Sequence, residues 1–103
     1  MASKRVLIVE DEAVLRRIVA DAVDRAGYSV AVASDGEEGL RLFESEQPHL
    51  VIADIMMPRL DGLEMVRSMR RAGGATQFLF LSARSGADDV VEGFRAGGHD
   101  YLR

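Results

Sequence analysis

Three carboxylates and one hydroxyl stand where their types and spacing could do chemistry: Glu10, Asp11, Asp54 and Ser82. Glu10-Asp11 follows the apolar run Val6-Leu7-Ile8-Val9, Asp54 follows Leu50-Val51-Ile52-Ala53, and Ser82 follows Phe78-Leu79-Phe80-Leu81. Carboxylates gathered at one edge repel one another and resist ionisation. A hard divalent cation relieves that repulsion, and carboxylate, carbonyl and water oxygens favour Mg²⁺ over softer metals. A serine hydroxyl at the same edge could donate to a phosphoryl oxygen carried on Asp54. Taken singly, Glu10-Asp11-Glu12 reads as a solvated helix start suited to the macrodipole, Asp54 as a cap and Ser82 as a loop serine. Their joint placement after successive apolar runs is what points beyond these ordinary readings to a divalent-cation site.

Those runs must be strands if the acids are to meet. Continuous apolar runs suit parallel strands covered on both faces. Residues 28–33, with Tyr28, Val30 and Val32 alternating with smaller side chains, suit an edge strand, and Tyr101-Leu102 reads as the start of a fifth. Helical segments separate them. Val14, Leu15, Ile18, Val19, Ala22, Val23 and Ala26 keep a period near 3.6, and Gly27 sits where a helix end favours positive φ. Asp35 with Glu38, and Asp61 with Glu64, resemble capping boxes. Leu40 and Phe43 are the expected buried face of the second helix, which must stop before Pro48. Leu63, Val66 and Met69 mark a third helix, and Val90, Val91 and Phe94 a fourth that stops at Gly97-Gly98.

The alternation β-α-β-α-β-α-β-α-β with right-handed crossovers predicts an α/β fold with a doubly wound five-stranded parallel sheet, order 2-1-3-4-5. Ligands of such sheets bind beyond the carboxyl ends of the strands where the winding reverses, here between strands 1 and 3. Glu10-Asp11 and Asp54 fall at that place. Adjacent strands lie about 4.8 Å apart, so the carboxylates should converge.

A chain of 103 residues makes one domain, and one able to bury a core without staples. It has no cysteine, which excludes disulfides and thiolate metal sites and fits cytoplasmic residence. No apolar run approaches the roughly 20 residues that cross a bilayer. The net charge of −4 argues against a nucleic-acid surface within these residues. His49 and His99 precede strands 3 and 5, at the end of the sheet away from the acids, and read as exposed loop residues. The methionines read as adaptable packing.

The segments Val9-Glu10-Asp11-Glu12, Asp54-Ile55-Met56-Met57-Pro58-Arg59-Leu60-Asp61-Gly62, Leu81-Ser82-Ala83-Arg84 and Gly97-Gly98-His99-Asp100-Tyr101-Leu102 resemble, in order and spacing, the receiver domains of two-component response regulators. The resemblance covers the whole of 1–103 and implies a flavodoxin-like receiver. It implies that Asp54 accepts a phosphoryl group from a phosphohistidine on a sensor histidine kinase. Asp11, Asp54 and the Met56 carbonyl would ligate Mg²⁺, with Glu10 acting through water. Ser82 and the amides of Met56 and Ala83 would hold the phosphoryl oxygens, and Tyr101 would follow Ser82. It implies no enzyme beyond self-phosphorylation and slow autodephosphorylation, and an output domain, transcriptional in the large DNA-binding subfamily. A homodimer is left open.

Several departures qualify that resemblance. The family lysine after the fifth-strand aromatic belongs one position beyond Arg103, and Lys4 lies roughly 20 Å from the acidic edge at 3.3 Å per strand residue. Gln77 stands where a proline is common, and His99 where an aspartate that supports dimers is usual. A fifth helix is not in the chain, so the chain reads as a fragment of a longer protein and a weaker switch than an extended one. Three rival readings are a metal-dependent phosphohydrolase, a flavodoxin-like cofactor binder and an unphosphorylated pseudo-receiver. Phosphohydrolases of this kind alternate two aspartates after strand 1, whereas Glu10-Asp11 is adjacent. An acidic first loop would repel a flavin phosphate, and the intact Asp11, Asp54 and Ser82 set argues against a pseudo-receiver.

Overall fold

The computed structural model describes residues 4–54, 62–72 and 74–81. The elements are β1 (Arg5–Val9), α1 (Ala13–Arg25), β2 (Ser29–Ala33), α2 (Gly36–Glu46), β3 (Leu50–Asp54), α3 (Gly62–Arg71) and β4 (Gln77–Leu81). The four strands form one parallel sheet in the order β2-β1-β3-β4. That is the doubly wound arrangement expected from the alternation of apolar runs and helical stripes. The expected fourth helix and fifth strand lie outside the described residues.

The middle strands are apolar because both of their faces are covered. Val6, Ile8, Leu50 and Ile52 meet Val19 and Val23 of α1 on one side. Leu7, Val9, Val51 and Ala53 meet Met65, Val66 and Met69 of α3 on the other, with Leu40 and Phe43 of α2 beside them. Burying a side chain of this size contributes about 1.5–3 kcal/mol, so these two layers hold the strand ends that carry the acids. Among the described residues β2 is an edge strand: Val30 packs on the α1 side and Val32 stays 43% exposed.

Two helix ends follow the sequence closely. Gly27 has φ +97, its amide donates to the Asp24 carbonyl, and the Tyr28 amide reaches the Val23 carbonyl. Those bonds satisfy carbonyls left over at the end of α1. At the start of α2 the Asp35 side chain accepts from the Glu38 amide at 2.8 Å, while Glu38 Oε1 accepts from the Ser34 amide at 2.9 Å. The expected capping box is present, with its return bond one residue earlier than the usual pattern. Asp61, from the second expected box, lies outside the described residues.

The α1 stripe is narrower than the sequence pattern. Leu15, Val19 and Val23 face the sheet, but Val14 is 67% and Ile18 45% exposed. Val14 lies one residue before half-buried Leu15 and Ile18 one before buried Val19, each about 100° round the helix. A single sheet face cannot cover both rows.

The amino edge of the sheet is closed by polar bonds. Arg5 Nε donates to the Glu46 carbonyl at 2.6 Å, and the Arg5 amide donates to His49 Nδ1 at 2.9 Å. His49 is exposed and far from the acids, as expected, but it also replaces a backbone acceptor where the β1–β3 pairing ends. Before Pro48, α2 ends on Gln47, which is left-handed at φ +46, ψ +62. A side chain costs about 1–2 kcal/mol in that region, and glycine returns part of the gain as unfolded-state entropy. Gln47→Gly should therefore raise stability by up to about 1 kcal/mol, read as a higher urea midpoint with an unchanged slope. A lower midpoint would mean that the Gln47 side chain contributes more than its backbone costs.

Candidate functional site

Register determines what meets at the carboxyl edge. Val9 pairs with Ala53 and Val6 with Leu50, so the residues that follow, Glu10 and Asp54, emerge side by side. Asp54, the last residue of β3, pairs with Leu81, the residue before Ser82. Glu10, Asp11 and Asp54 each bring a carboxylate oxygen within 4.8 Å of the others. Of the predicted site residues the structure thus brings together these three. Met56, Ser82 and Ala83 lie outside the described residues, as do Arg84, His99, Tyr101 and Arg103.

The three acids differ in surroundings. Glu10 is 1% exposed, Asp54 half-buried and Asp11 exposed. The Glu10 amide donates to the Ala33 carbonyl of β2 at 3.0 Å, which fixes the strand end laterally. Its Oε2 accepts from the Glu12 amide at 3.3 Å, while Oε1 is buried with no hydrogen-bond partner among the described residues. A buried acceptor left unmatched costs free energy. Burial pushes the Glu10 carboxyl up to about 7 from an ordinary 4.5. The Asp11 side chain beside it adds to the rise, the Glu12 amide opposes it, and the negative charges of Asp54 and Asp11 push further up.

A clustered, all-oxygen donor set with one orphaned buried acceptor is the situation that a hard divalent cation relieves. The set therefore fits Mg²⁺. Met65 and Met69, by contrast, are wholly buried in packing, as the sequence implied. A cleft of about 830 Å³ opens at the opposite edge of the sheet beside Phe43, His49, Met69 and Thr76, and none of the acids lines it.

Residues 6–103 match the family model of the response regulator receiver domain. The chain belongs to the response-regulator receiver family. Among its relatives, the response regulator MprA of Mycolicibacterium vanbaalenii is 43% identical over 98 residues, covering 95% of this chain and 42% of that protein. MprA of Mycobacterium tuberculosis is 41% identical over 100 residues, covering 97% and 44%. This receiver thus spans less than half the length of the curated relatives it matches. Among solved structures, Vibrio cholerae chemotaxis protein CheY4 superposes with a TM-score of 0.77 at 31% identity, covering 93% of this chain and 82% of that one. The receiver domain of the hybrid histidine kinase CckA gives 0.75 at 29%, covering 89% and 96%.

One residue at the receiver's acidic edge was not picked out by the sequence reading. Arg16, in α1, donates from Nη1 to the Glu10 carbonyl at 2.9 Å. The signal available was its place six residues after Glu10, within reach of the strand end from the first helical turns. No helix among the described residues is long and apolar enough to cross a membrane.

The raised Glu10 value has a consequence for stability. A carboxyl whose folded value lies above its unfolded one favours folding in its protonated form. That stabilisation is complete below about pH 4.5 and is lost as pH rises through about 7. Metal-free receiver should therefore unfold at lower urea as pH climbs across that window. Glu10→Gln, which keeps the shape without the charge, should flatten the slope. An unchanged slope in the variant would assign the effect to another group.

Proposed function

We propose that Asp54 is the phosphoacceptor of this receiver and that Glu10 and Asp11 help it hold Mg²⁺. The observation that carries this is the convergence of three carboxylates at the strand ends, with a buried Glu10 oxygen that has no hydrogen-bond partner among the described residues. One Asp54 oxygen would attack the phosphorus of a phosphohistidine on a partner kinase. The new P–O bond forms as the P–N bond breaks, and the departing imidazole keeps the electron pair and takes up a proton. Asp54 suits this role because it ends β3 half-buried, held by backbone pairing to β4, so its carboxylate is presented rather than searching. Glu10 and Asp11 keep the edge anionic and draw the cation in. Bound Mg²⁺ would supply charge neutralisation between the carboxylates and the incoming phosphoryl oxygens.

Ser82 and the amides of Met56 and Ala83 complete the proposal as the groups that take the phosphoryl oxygens. Met56 would also offer its carbonyl to the metal. An added charge near −2 at this edge is large enough to draw a hydroxyl-bearing loop inward, which is how such a domain signals. Residues 1–103 would then act as one receiver domain, in the cytoplasm, fed by a sensor histidine kinase and coupled to an output region that controls transcription. The resemblance in sequence supports these partners, as does the greater length of the MprA relatives.

Incubation with a small phosphoramidate donor and Mg²⁺ tests the reading. Wild-type chain should take up one acid- and base-labile phosphoryl group, with uptake abolished by a chelator. Asp54→Asn should abolish uptake while keeping the fold, and Asp11→Asn should lower it by about 10- to 100-fold through lost metal affinity. Phosphoryl uptake that survives in Asp54→Asn would move the nucleophile elsewhere.

A further inference from the structure

The loop that carries the metal-binding acids lacks the usual anchor. Helix α1 begins at Ala13 behind Glu12, whose side chain makes no capping hydrogen bond. Helix α2, by contrast, is fastened at its start by Asp35. An uncapped start leaves amides without partners and an entry angle that little defines. The turn at residues 10–12 is held by other means. The Glu10 amide ties it to β2 through the Ala33 carbonyl. The Glu12 amide reaches Glu10 Oε2 at 3.3 Å, a long bond that uses an oxygen a metal would also draw on. The third hold comes from the body of the helix: Arg16 Nη1 donates to the Glu10 carbonyl at 2.9 Å, half-buried.

We propose that Arg16 is a positioning residue for the acidic edge, clasping the strand end to α1 so that Glu10 and Asp11 are presented together to Mg²⁺. The inference rests on the reading of that edge as a Mg²⁺ site. The bond is charge-assisted and therefore stronger than a neutral one. It engages the Glu10 backbone carbonyl rather than a carboxylate oxygen. The Arg16 amide closes the first helical bond, to the Glu12 carbonyl at 2.9 Å, so one residue fixes both sides of Asp11.

The test measures Mg²⁺ affinity by calorimetry for wild type, Arg16→Ala, Arg16→Lys and Asp11→Asn, alongside urea unfolding of each without metal. Groups that orient metal ligands typically contribute 10- to 100-fold in affinity. Arg16→Ala should bind about tenfold more weakly while remaining folded at the working temperature. Arg16→Lys, which keeps a cationic donor, should recover most of that loss. Wild-type affinity in Arg16→Ala, with affinity lost in Asp11→Asn, would overturn the positioning role and leave the metal site standing. Unchanged affinity in Asp11→Asn would overturn the metal site and this inference with it. A loss in Arg16→Ala that merely tracks its unfolded fraction would make Arg16 structural and also overturn the proposal.

Discussion

The parallel pairing of β1 with β3 is the constraint on which the functional edge depends. Val9 lies beside Ala53, so two acidic positions far apart in the chain leave the sheet at adjacent points. A shift of one residue would turn every side chain of a strand to the other layer and separate the acids. Register is fixed by packing, because the strands fill two apolar layers at once. The edge itself opposes folding: Glu10 is buried, its carboxyl pushed up to about 7, and one oxygen lacks a hydrogen-bond partner among the described residues. The layers offset that cost, and three carboxylates gathered at one edge are the result.

Much of this was legible in the chain. Four apolar runs gave four strands within a residue or so of their ends, and parallel order followed from the helices between them. Gly27 and Asp35 marked helix ends through local chemistry that needs no tertiary context. Glu10, Asp11 and Asp54 could be placed together because the strand ends are where the winding reverses. The α1 stripe was read too wide, since periodicity reports apolar side chains but not how many a sheet face can cover. Val14 and Ile18 are the surplus.

Other features depended on three-dimensional proximity. His49 was rightly set apart from the chemistry, yet its bond to the Arg5 amide joins segments far apart in sequence. Arg16 carries no signature that separates it from Arg17, and only the helix direction after the uncapped turn aims it at the Glu10 carbonyl. Charged side chains on a helix are usually solvated, so composition gives no reason to choose between them. The receiver family membership agrees with the fold, but the work of each residue has to come from its geometry.

Backbone NMR during a Mg²⁺ titration tests the central claim most directly, namely that the three carboxylates at the strand ends form one metal site. The account predicts that amides at residues 10–12 and 54 respond together along a single saturating curve in the millimolar range, since few protein oxygens would contact the ion. Responses that scatter over exposed acids such as Glu37, Glu44 and Glu46, with residues 10–12 and 54 unmoved, would contradict it.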